Sequence, residues 1–242
     1  MSGNGKPTVV LVHGAFADTS SWSGVISELR RNGITARAFP NGLRTGQVDG
    51  AHLADYIGSI DGPVLLVGHS YGGIVITEAA TRSDKVTGLV YVAAFALEEN
   101  ETPLGYLGQF PANELGTALV DQHFTTPEGA DEVELYLATD KFRKIFAADL
   151  PAEVTDVQAV SQRPILAKAF GTPAGKAAWT STPSWYLVAE QDEAIHPDAQ
   201  RAMAERSGSS TVNVPASHSV AGSQPAVVAN LIINAIKQLE EK

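Results

Sequence analysis

Short apolar runs rich in β-branched residues alternate with helical patterns along this chain, and this alternation limits the possible folds more than any other feature. Six runs are predicted as buried strands, over residues 8–13, 34–39, 64–67, 86–94, 185–189 and 211–214. A strongly periodic helix follows Pro225 near the end of the chain. Strands and helices in alternation predict an α/β fold, in which a mostly parallel sheet of about six strands has helices on both faces.

The alternation breaks between residues 97 and 178, where the sequence shows no buried strand. A structureless loop of this length is uncommon in a compact domain, so the segment is interpreted as an inserted helical cap. Thr126 can cap a helix that has Pro127 at its first position. Two helix faces are assigned within the cap, one of Val133, Tyr136 and Leu137 and one of Phe142, Ile145 and Phe146. The prediction is a single domain over 1–242 with 97–178 as its cap.

Composition excludes several classes of protein. The formal net charge of −10 argues against a nucleic-acid partner or an anionic membrane surface. The absence of cysteine excludes disulfides, thiolate metal sites and a cysteine nucleophile. Histidines and acids show no metal-ligand spacing, so neither a metal nor another cofactor is expected. Residues 1–7 lack the apolar stretch of a signal peptide, and no run approaches the ~18–20 apolar residues of a membrane span, so we expect a cytoplasmic protein.

Residues 68–73 carry the strongest indication of chemistry. The sequence Gly-His-Ser-Tyr-Gly, followed by a further glycine, stands between a predicted strand and a predicted helix, which is the setting of a nucleophile elbow. Glycine on both sides permits the close backbone approach that so tight a turn needs. We predict that Ser70 is a nucleophile, presented at the sheet edge where open α/β sheets bind their ligands.

A second turn, which begins at His13 after the first strand, brings backbone N–H groups toward the same edge. The pair expected to bind a developing oxyanion is the amide of Tyr71, next after the nucleophile, and the amide of Ala15. Phe16 is an alternative for the second donor. We interpret His13 as a residue that shapes this turn, although a role as the base stays open.

The base and its acid are predicted in the loops after the last two strands. Of six histidines, His218 alone has both the position and the chain order of a serine-acid-histidine set. Asp192 is the preferred acid, with Glu190 and Glu193 as competitors in the same loop. His218 would take the proton of Ser70, Asp192 would orient the imidazole, and an acyl-enzyme would form.

Aromatic side chains of the cap and of nearby loops are the expected lining of a small apolar pocket, with ordinary core packing as the alternative for most of them. The candidates are Phe16, Tyr71, Phe95, Tyr106, Phe110, Phe124, Phe142, Phe146 and Trp179. The reaction expected of this pocket is the cleavage of a small carboxylic ester. The protein would act as a monomer or a homodimer.

Together these motifs resemble the α/β-hydrolase superfamily, through residues 9–14 with Trp22, the elbow, residues 90–95 and the loops of Asp192 and His218. More narrowly, Leu-Val-His-Gly-Ala, Val-Gly-His-Ser-Tyr-Gly-Gly and Val-Ala-Ala-Phe are similar to motifs of the small esterases related to plant methyl esterases and hydroxynitrile lyases. The resemblance implies an α/β-hydrolase fold, carboxylesterase activity and no cofactor. It covers the core on both sides of the cap, and the substrate does not carry over.

Two positions depart from the hydroxynitrile lyases, which have a threonine and a lysine where this chain has Gly14 and Ser219. Cyanohydrin cleavage by their mechanism is therefore disfavoured. Lactone or thioester hydrolysis, and carbon–carbon or lyase chemistry on the same three residues, stay open as alternatives. A non-catalytic receptor for a small ligand is the alternative from another class, and the intact serine, acid and histidine argue against it.

Overall fold

The computed structural model describes residues 5–241, and strands alternate with helices along most of this range. Residues 1–4 and Lys242 lie outside the described residues, so the interpretation of the N-terminus and the outer limits of the 1–242 domain rest on sequence alone. Within residues 5–241, no helix combines the length and the hydropathy that a bilayer crossing requires.

The strands are β1 (Thr8–Val12), β2 (Ala36–Phe39), β3 (Val64–His69), β4 (Val86–Val92), β5 (Leu119–Thr125), β6 (Asp131–Leu137), β7 (Ile165–Leu166), β8 (Ser184–Ala189) and β9 (Ser210–Val214). The helices are α1 (Ser23–Arg31), α2 (Gly46–Gly58), α3 (Gly72–Ala80), α4 (Pro103–Leu107), α5 (Thr139–Phe146), α6 (Ala152–Ser161), α7 (Lys168–Gly171), α8 (Pro197–Arg206), α9 (Val220–Ser223) and α10 (Pro225–Glu240). Short 3-10 turns cover Thr19–Trp22, Leu115–Thr117 and Ala178–Thr180.

Six strands form the main sheet in the order β2-β1-β3-β4-β8-β9, and every neighbouring pair is parallel. These are the six predicted strands, and the predicted fold class is confirmed. The chain runs outward from β1 to β2 and then returns to β3 on the other side of β1. The carboxyl ends of β1 and β3 therefore flank the crevice where open α/β sheets bind ligands.

Alternate side chains of the strands enter two separate cores. Val10 and Val12 of β1 pack in a cluster with α2, α3 and α8, whereas Val9 and Leu11 pack in a cluster with α1 and α10. A sheet covered on both faces needs apolar residues at successive positions, which explains the continuous apolar runs of the sequence.

The segment between β4 and β8 departs from the predicted helical cap because it contains a second sheet. Strands β5, β6 and β7 pair antiparallel in that order. Thr126 lies in the turn of the β5–β6 hairpin, where its N–H donates to the Ala130 carbonyl and Gly129 has a φ of 84°. The prediction of a helix that begins at Thr126 is therefore wrong, since Gly129 supplies the left-handed residue of a turn.

The helix face assigned to Val133, Tyr136 and Leu137 is also wrong, because these residues belong to β6. The decisive pattern is a period of two residues, in which Leu135 and Leu137 are buried on one face. The other assigned face is confirmed, since Phe142, Ile145 and Phe146 are the buried residues of α5.

His13, which is fully buried, ties the loop after β1 to the loop after β2. Its Nδ1 donates to the Gly14 carbonyl at 2.9 Å, and its Nε2 accepts from the Asn41 N–H at 3.1 Å. The Asn41 side chain also donates to the His13 carbonyl at 3.0 Å. Burial lowers the pKa of His13 to about 4, and nearby Arg163 acts in the same direction. Both ring nitrogens are occupied, so neither is free to take a proton from Ser70.

We predict that His13 makes stability depend on pH. Its pKa in the folded chain, about 4, lies below the ordinary value of 6.5, so the unfolded chain binds the proton more readily. The contribution of His13 is complete above pH 6.5 and is lost as the pH falls toward 4, a loss of roughly 2 kcal/mol at about pH 5. His13→Gln keeps an acceptor for Asn41 but does not titrate.

Urea denaturation at neutral pH and at about pH 5 measures this effect. The free energy of unfolding should fall less in His13→Gln than in the unmodified protein. His123→Gln, at an exposed position of β5, is the matched control and should behave like the unmodified protein. Equal falls in all three proteins would contradict the prediction.

Candidate active site

Ser70 lies in the turn between β3 and α3, at the carboxyl edge of the main sheet. Its φ is 55°, in the left-handed region that few residues other than glycine adopt. The Ser70 carbonyl accepts hydrogen bonds from the N–H groups of Gly73 at 3.0 Å and Phe95 at 3.1 Å, and these hold the turn. Backbone strain of this kind costs about 1–3 kcal/mol and is concentrated at active sites.

Two glycines allow this turn to pack against the end of β1. A Cβ at position 72 would lie 2.4 Å from the Val12 carbonyl oxygen. A Cβ at position 14 would lie 2.6 Å from Ser70 Cβ and 3.2 Å from Ser70 Oγ. Any side chain at Gly14 or Gly72 would therefore displace the serine or β1. This includes a threonine at position 14, the residue of the hydroxynitrile lyases.

The structure brings both predicted oxyanion donors to the candidate nucleophile, because Ala15 and Tyr71 line the cavity that holds Ser70. Among the backbone hydrogen bonds that turns and loops make in residues 5–241, none has the amide of Ala15 or Tyr71 as its donor. The amide of Phe16, the alternative donor, already donates to the Arg163 carbonyl at 3.0 Å. The geometry therefore favours Ala15 over Phe16.

His218 and Asp192 form a buried pair, with 2.6 Å between Nδ1 of the imidazole and Oδ2 of the carboxylate. The two residues are 1% and 3% exposed. The other carboxylate oxygen accepts from the N–H groups of Ala194 at 2.7 Å and Ile195 at 2.9 Å. Because a carboxylate only accepts, the pair places the imidazole proton on Nδ1 and leaves Nε2 free to accept one.

A glutamine that sequence reasoning missed holds the Asp192 carboxylate from α8. Gln200 donates from Nε2 to Asp192 Oδ2 at 2.7 Å and to the Ile195 carbonyl at 2.8 Å. Its Oε1 accepts from the N–H of the last residue of β8 at 2.9 Å. The competing acids Glu190 and Glu193 are exposed. Nothing in the sequence around Gln200 distinguishes it from a surface glutamine.

Two further rings pack against the imidazole of His218. The ring centroids of His69 and Phe146 lie 4.6 Å and 4.9 Å from that of His218. His69 Nε2 donates to the His218 carbonyl at 2.8 Å. Burial, together with the nearby His218, lowers the pKa of His69 well below its ordinary value. His69 is therefore a neutral neighbour, and His218 is the ring that has a carboxylate partner.

The cavity at Ser70 is small and largely apolar, enclosing about 320 Å³ when the space at its mouth is included. Three of the predicted aromatic side chains line it beside Tyr71, namely Phe16, Phe95 and Phe146. Sequence reasoning missed four other lining residues, which are Leu115, Phe170, Ala194 and Ile195.

Ser70 and His218 both line this cavity, although no hydrogen bond joins Ser70 Oγ to the His218 ring within the described range. Catalytic hydrogen bonds often tighten only in the substrate complex. In the same range, no cluster of three or more histidine, aspartate or glutamate residues could hold a metal ion.

The other five predicted aromatic side chains do not line the Ser70 cavity. Phe142 lines a second cavity and Phe110 a third. Tyr106 packs under the Arg206 guanidinium, 4.5 Å from the ring centroid. The Trp179 indole donates to a backbone carbonyl at 3.2 Å, and Phe124 lies partly exposed on β5.

Comparison with known proteins shows similarity along nearly the whole chain. A family model described as the alpha/beta hydrolase family matches residues 9–231. The alpha/beta hydrolase nvfD of Aspergillus novofumigatus is 28% identical over 95% of this chain and 96% of its own length. A pyrethroid hydrolase of Sphingobium wenxiniae is 28% identical over 93% of this chain and 85% of its own length.

Among solved structures, polyneuridine aldehyde esterase superposes with a TM-score of 0.82 at 19% identity, covering 96% of this chain and 99% of that one. This likeness concerns the fold. The matched residues 9–231 include the elbow and the loops of Asp192 and His218. The chain therefore belongs to the alpha/beta hydrolase family.

Proposed function

We propose that this protein hydrolyses small carboxylic esters through an acyl-enzyme on Ser70, with His218 as the base and Asp192 as its partner acid. The observation that carries this proposal is the buried pair of His218 and Asp192, 2.6 Å apart, beside the cavity of Ser70. The amides of Ala15 and Tyr71 line the same cavity and would serve as oxyanion donors.

The reaction would proceed in two stages. His218 Nε2 takes the hydroxyl proton while Ser70 Oγ attacks the ester carbonyl carbon, and the amides hold the resulting oxyanion. The bond to the alkoxy oxygen then breaks, and the alcohol leaves with the proton from His218. Water next gives a proton to His218 and attacks the acyl carbon. The acid is released, and the proton returns to Ser70.

The lining of the cavity supports an apolar substrate. Apart from the reacting groups, its walls are alkyl and aromatic side chains, and neither lysine nor arginine lies among them in the described chain. Two similar proteins are a pyrethroid hydrolase and a polyneuridine aldehyde esterase. This similarity favours ester hydrolysis over lactone hydrolysis, thioester hydrolysis and lyase chemistry.

Replacement of the nucleophile tests the proposal directly. In Ser70→Ala, kcat for p-nitrophenyl acetate should fall by a factor on the order of 10⁶, because no acyl-enzyme can form. Labelling by an organophosphonate should disappear with it. Ser210→Ala, at the exposed start of β9, is the matched control and should retain both properties. Unmodified protein that neither turns over short acyl esters nor reacts with the phosphonate would refute the proposal.

A second test compares Asp192, the proposed acid, with the two glutamates of the same loop. Asp192→Asn should lower kcat by roughly 10⁴-fold, because an amide no longer holds the His218 tautomer and stabilises the imidazolium poorly. Glu190→Gln and Glu193→Gln remove equivalent charges at exposed positions and should change kcat only slightly. A larger loss in either glutamate variant than in Asp192→Asn would assign the role to that glutamate.

We predict that catalysis requires glycine at position 14, because a side chain there would displace Ser70. In Gly14→Ala, the new Cβ must move Ser70, and kcat/KM should fall about 100-fold, as for a displacement near 1 Å. Gly58→Ala, at the end of α2 with nothing within 4 Å of the added Cβ, should retain normal kcat/KM. Circular dichroism would establish that both variants are folded. A folded Gly14→Ala protein with unchanged kcat/KM would show that the elbow tolerates a side chain there.

A further inference from the structure

A second cavity borders the Ser70 cavity and encloses about 570 Å³ when its mouth is included. The two cavities share Phe16 and Phe146 as lining residues. These rings meet edge to face with their centroids 6.3 Å apart. These two rings therefore lie at the boundary between the cavities, and their rotation would open a passage there. An ester with its carbonyl at Ser70 could then extend its remote end into the second cavity.

The second cavity has an apolar wall of its own, but it carries many more polar side chains than the first. Its polar side chains come from the loop after β1, from α6 and its C-terminal end, and from the residue after His218. They are Asp18, Ser20, Ser21, Gln158, Ser161, Gln162 and Ser219. Neither lysine nor arginine is among its lining residues in the described chain. A negatively charged ligand group would therefore meet the Asp18 carboxylate at the wall, whereas the nearest cation that acts on Asp18, Arg163, lies outside the lining.

One polar group of this wall is a buried acceptor without an internal donor. Gln158 Oε1 is buried and has no hydrogen-bond partner in residues 5–241. An unpaired buried amide oxygen is destabilising, and a hydrogen-bond donor on a ligand would offset this cost. His69 also lines the cavity. Because its Nε2 donates to the His218 carbonyl, its Nδ1 is an acceptor.

Other groups of the wall define its charge. Asp18 Oδ1 accepts from the Ser20 N–H at 2.7 Å. Burial raises the pKa of Asp18, but hydrogen bonds from Ser20 outweigh burial and hold it below its ordinary value, so the carboxylate is ionised at neutral pH. The Gln162 amide offers no free donor, since its Nε2 donates to the carbonyls of Leu137 and Ala159, both at 2.8 Å.

The third cavity differs from the second in the polarity of its lining. It shares Leu115 and Phe170 with the Ser70 cavity and is lined mainly by apolar side chains, including Leu104, Leu107 and Leu119. Two cavities thus border the Ser70 cavity. The third cavity, which shares Leu115 and Phe170 with it, is mainly apolar, and the second cavity, which shares Phe16 and Phe146 with it, carries polar side chains. An ester with one apolar end and one polar end would match this arrangement.

We propose that the second cavity is a subsite for the remote end of the ester, and that it takes a group that donates hydrogen bonds, such as a hydroxyl or an ammonium. This inference rests on the proposed ester hydrolysis at Ser70. The acceptors Gln158 Oε1 and Asp18 would bind the donor group. An ester that ends in a carboxylate would be rejected.

Two series of matched esters test the subsite, because either half of the ester could occupy it. One series compares p-nitrophenyl ω-hydroxyalkanoates with the corresponding alkanoates, from butanoate to octanoate. The other compares ω-hydroxyalkyl acetates with alkyl acetates of the same lengths. The measured quantity is the ratio of kcat/KM for the hydroxyl ester to kcat/KM for its methyl-ended counterpart.

In Gln158→Leu, this ratio should fall about 10-fold in one series, as for the loss of one hydrogen bond, with the methyl-ended rate nearly unchanged. Gln122→Leu, at an exposed position of β5, is the matched control and should leave the ratio unchanged. Asp18→Asn keeps an oxygen for the Ser20 N–H but removes the charge. It should raise kcat/KM several-fold for p-nitrophenyl esters that end in a carboxylate.

The outcomes separate this inference from the proposed function. If the esters are hydrolysed but Gln158→Leu leaves the ratio unchanged in both series, the subsite is wrong and ester hydrolysis stands. If Asp18→Asn leaves kcat/KM for the carboxylate-ended esters unchanged, the proposed repulsion of these esters by Asp18 is overturned. If no ester in either series is hydrolysed and a phosphonate does not label Ser70, ester hydrolysis fails and the subsite fails with it.

Discussion

The contact between the elbow and the end of β1 is the constraint on which the rest of the site depends. Gly72 lies against the Val12 carbonyl, and Gly14 lies against the side chain of Ser70. The candidate nucleophile and the turn that carries Ala15 therefore cannot move independently. Since Ser70 also adopts a left-handed backbone, held by two hydrogen bonds to its carbonyl, the neighbouring structure must maintain this geometry.

The electrostatics of the site follow from a second constraint, which is burial. A buried carboxylate is tolerated only when its oxygens are hydrogen-bonded, and Asp192 accepts from two backbone N–H groups, from Gln200 and from His218. Leaving a buried polar group without its hydrogen-bond partner costs about 1–3 kcal/mol, and more when the group is charged. Burial also lowers the pKa of His69, so the ring that packs against His218 does not compete with it for the proton of Ser70.

Local sequence patterns were sufficient wherever one segment specifies its own conformation. The apolar runs predicted the six core strands, and Gly-His-Ser-Tyr-Gly predicted a tight turn between β3 and α3. The β5–β6 hairpin was missed because part of its sequence also fits a helix face, and because its first strand is largely exposed. Only the pairing of the two strands distinguishes these possibilities. Gln200 was missed since its role depends on Asp192, eight residues away along the chain.

The sequence alone determined the alternation of strand and helix, the elbow around Ser70, and the chain order of Ser70, Asp192 and His218. These features depend on local backbone preference and on the order of segments. Only the tertiary structure decided that Asp192, and not Glu190 or Glu193, contacts His218, and which side chains line the three cavities. Those contacts join residues far apart in the chain, and their geometry is set by packing between the core and the inserted segment, which no local pattern encodes.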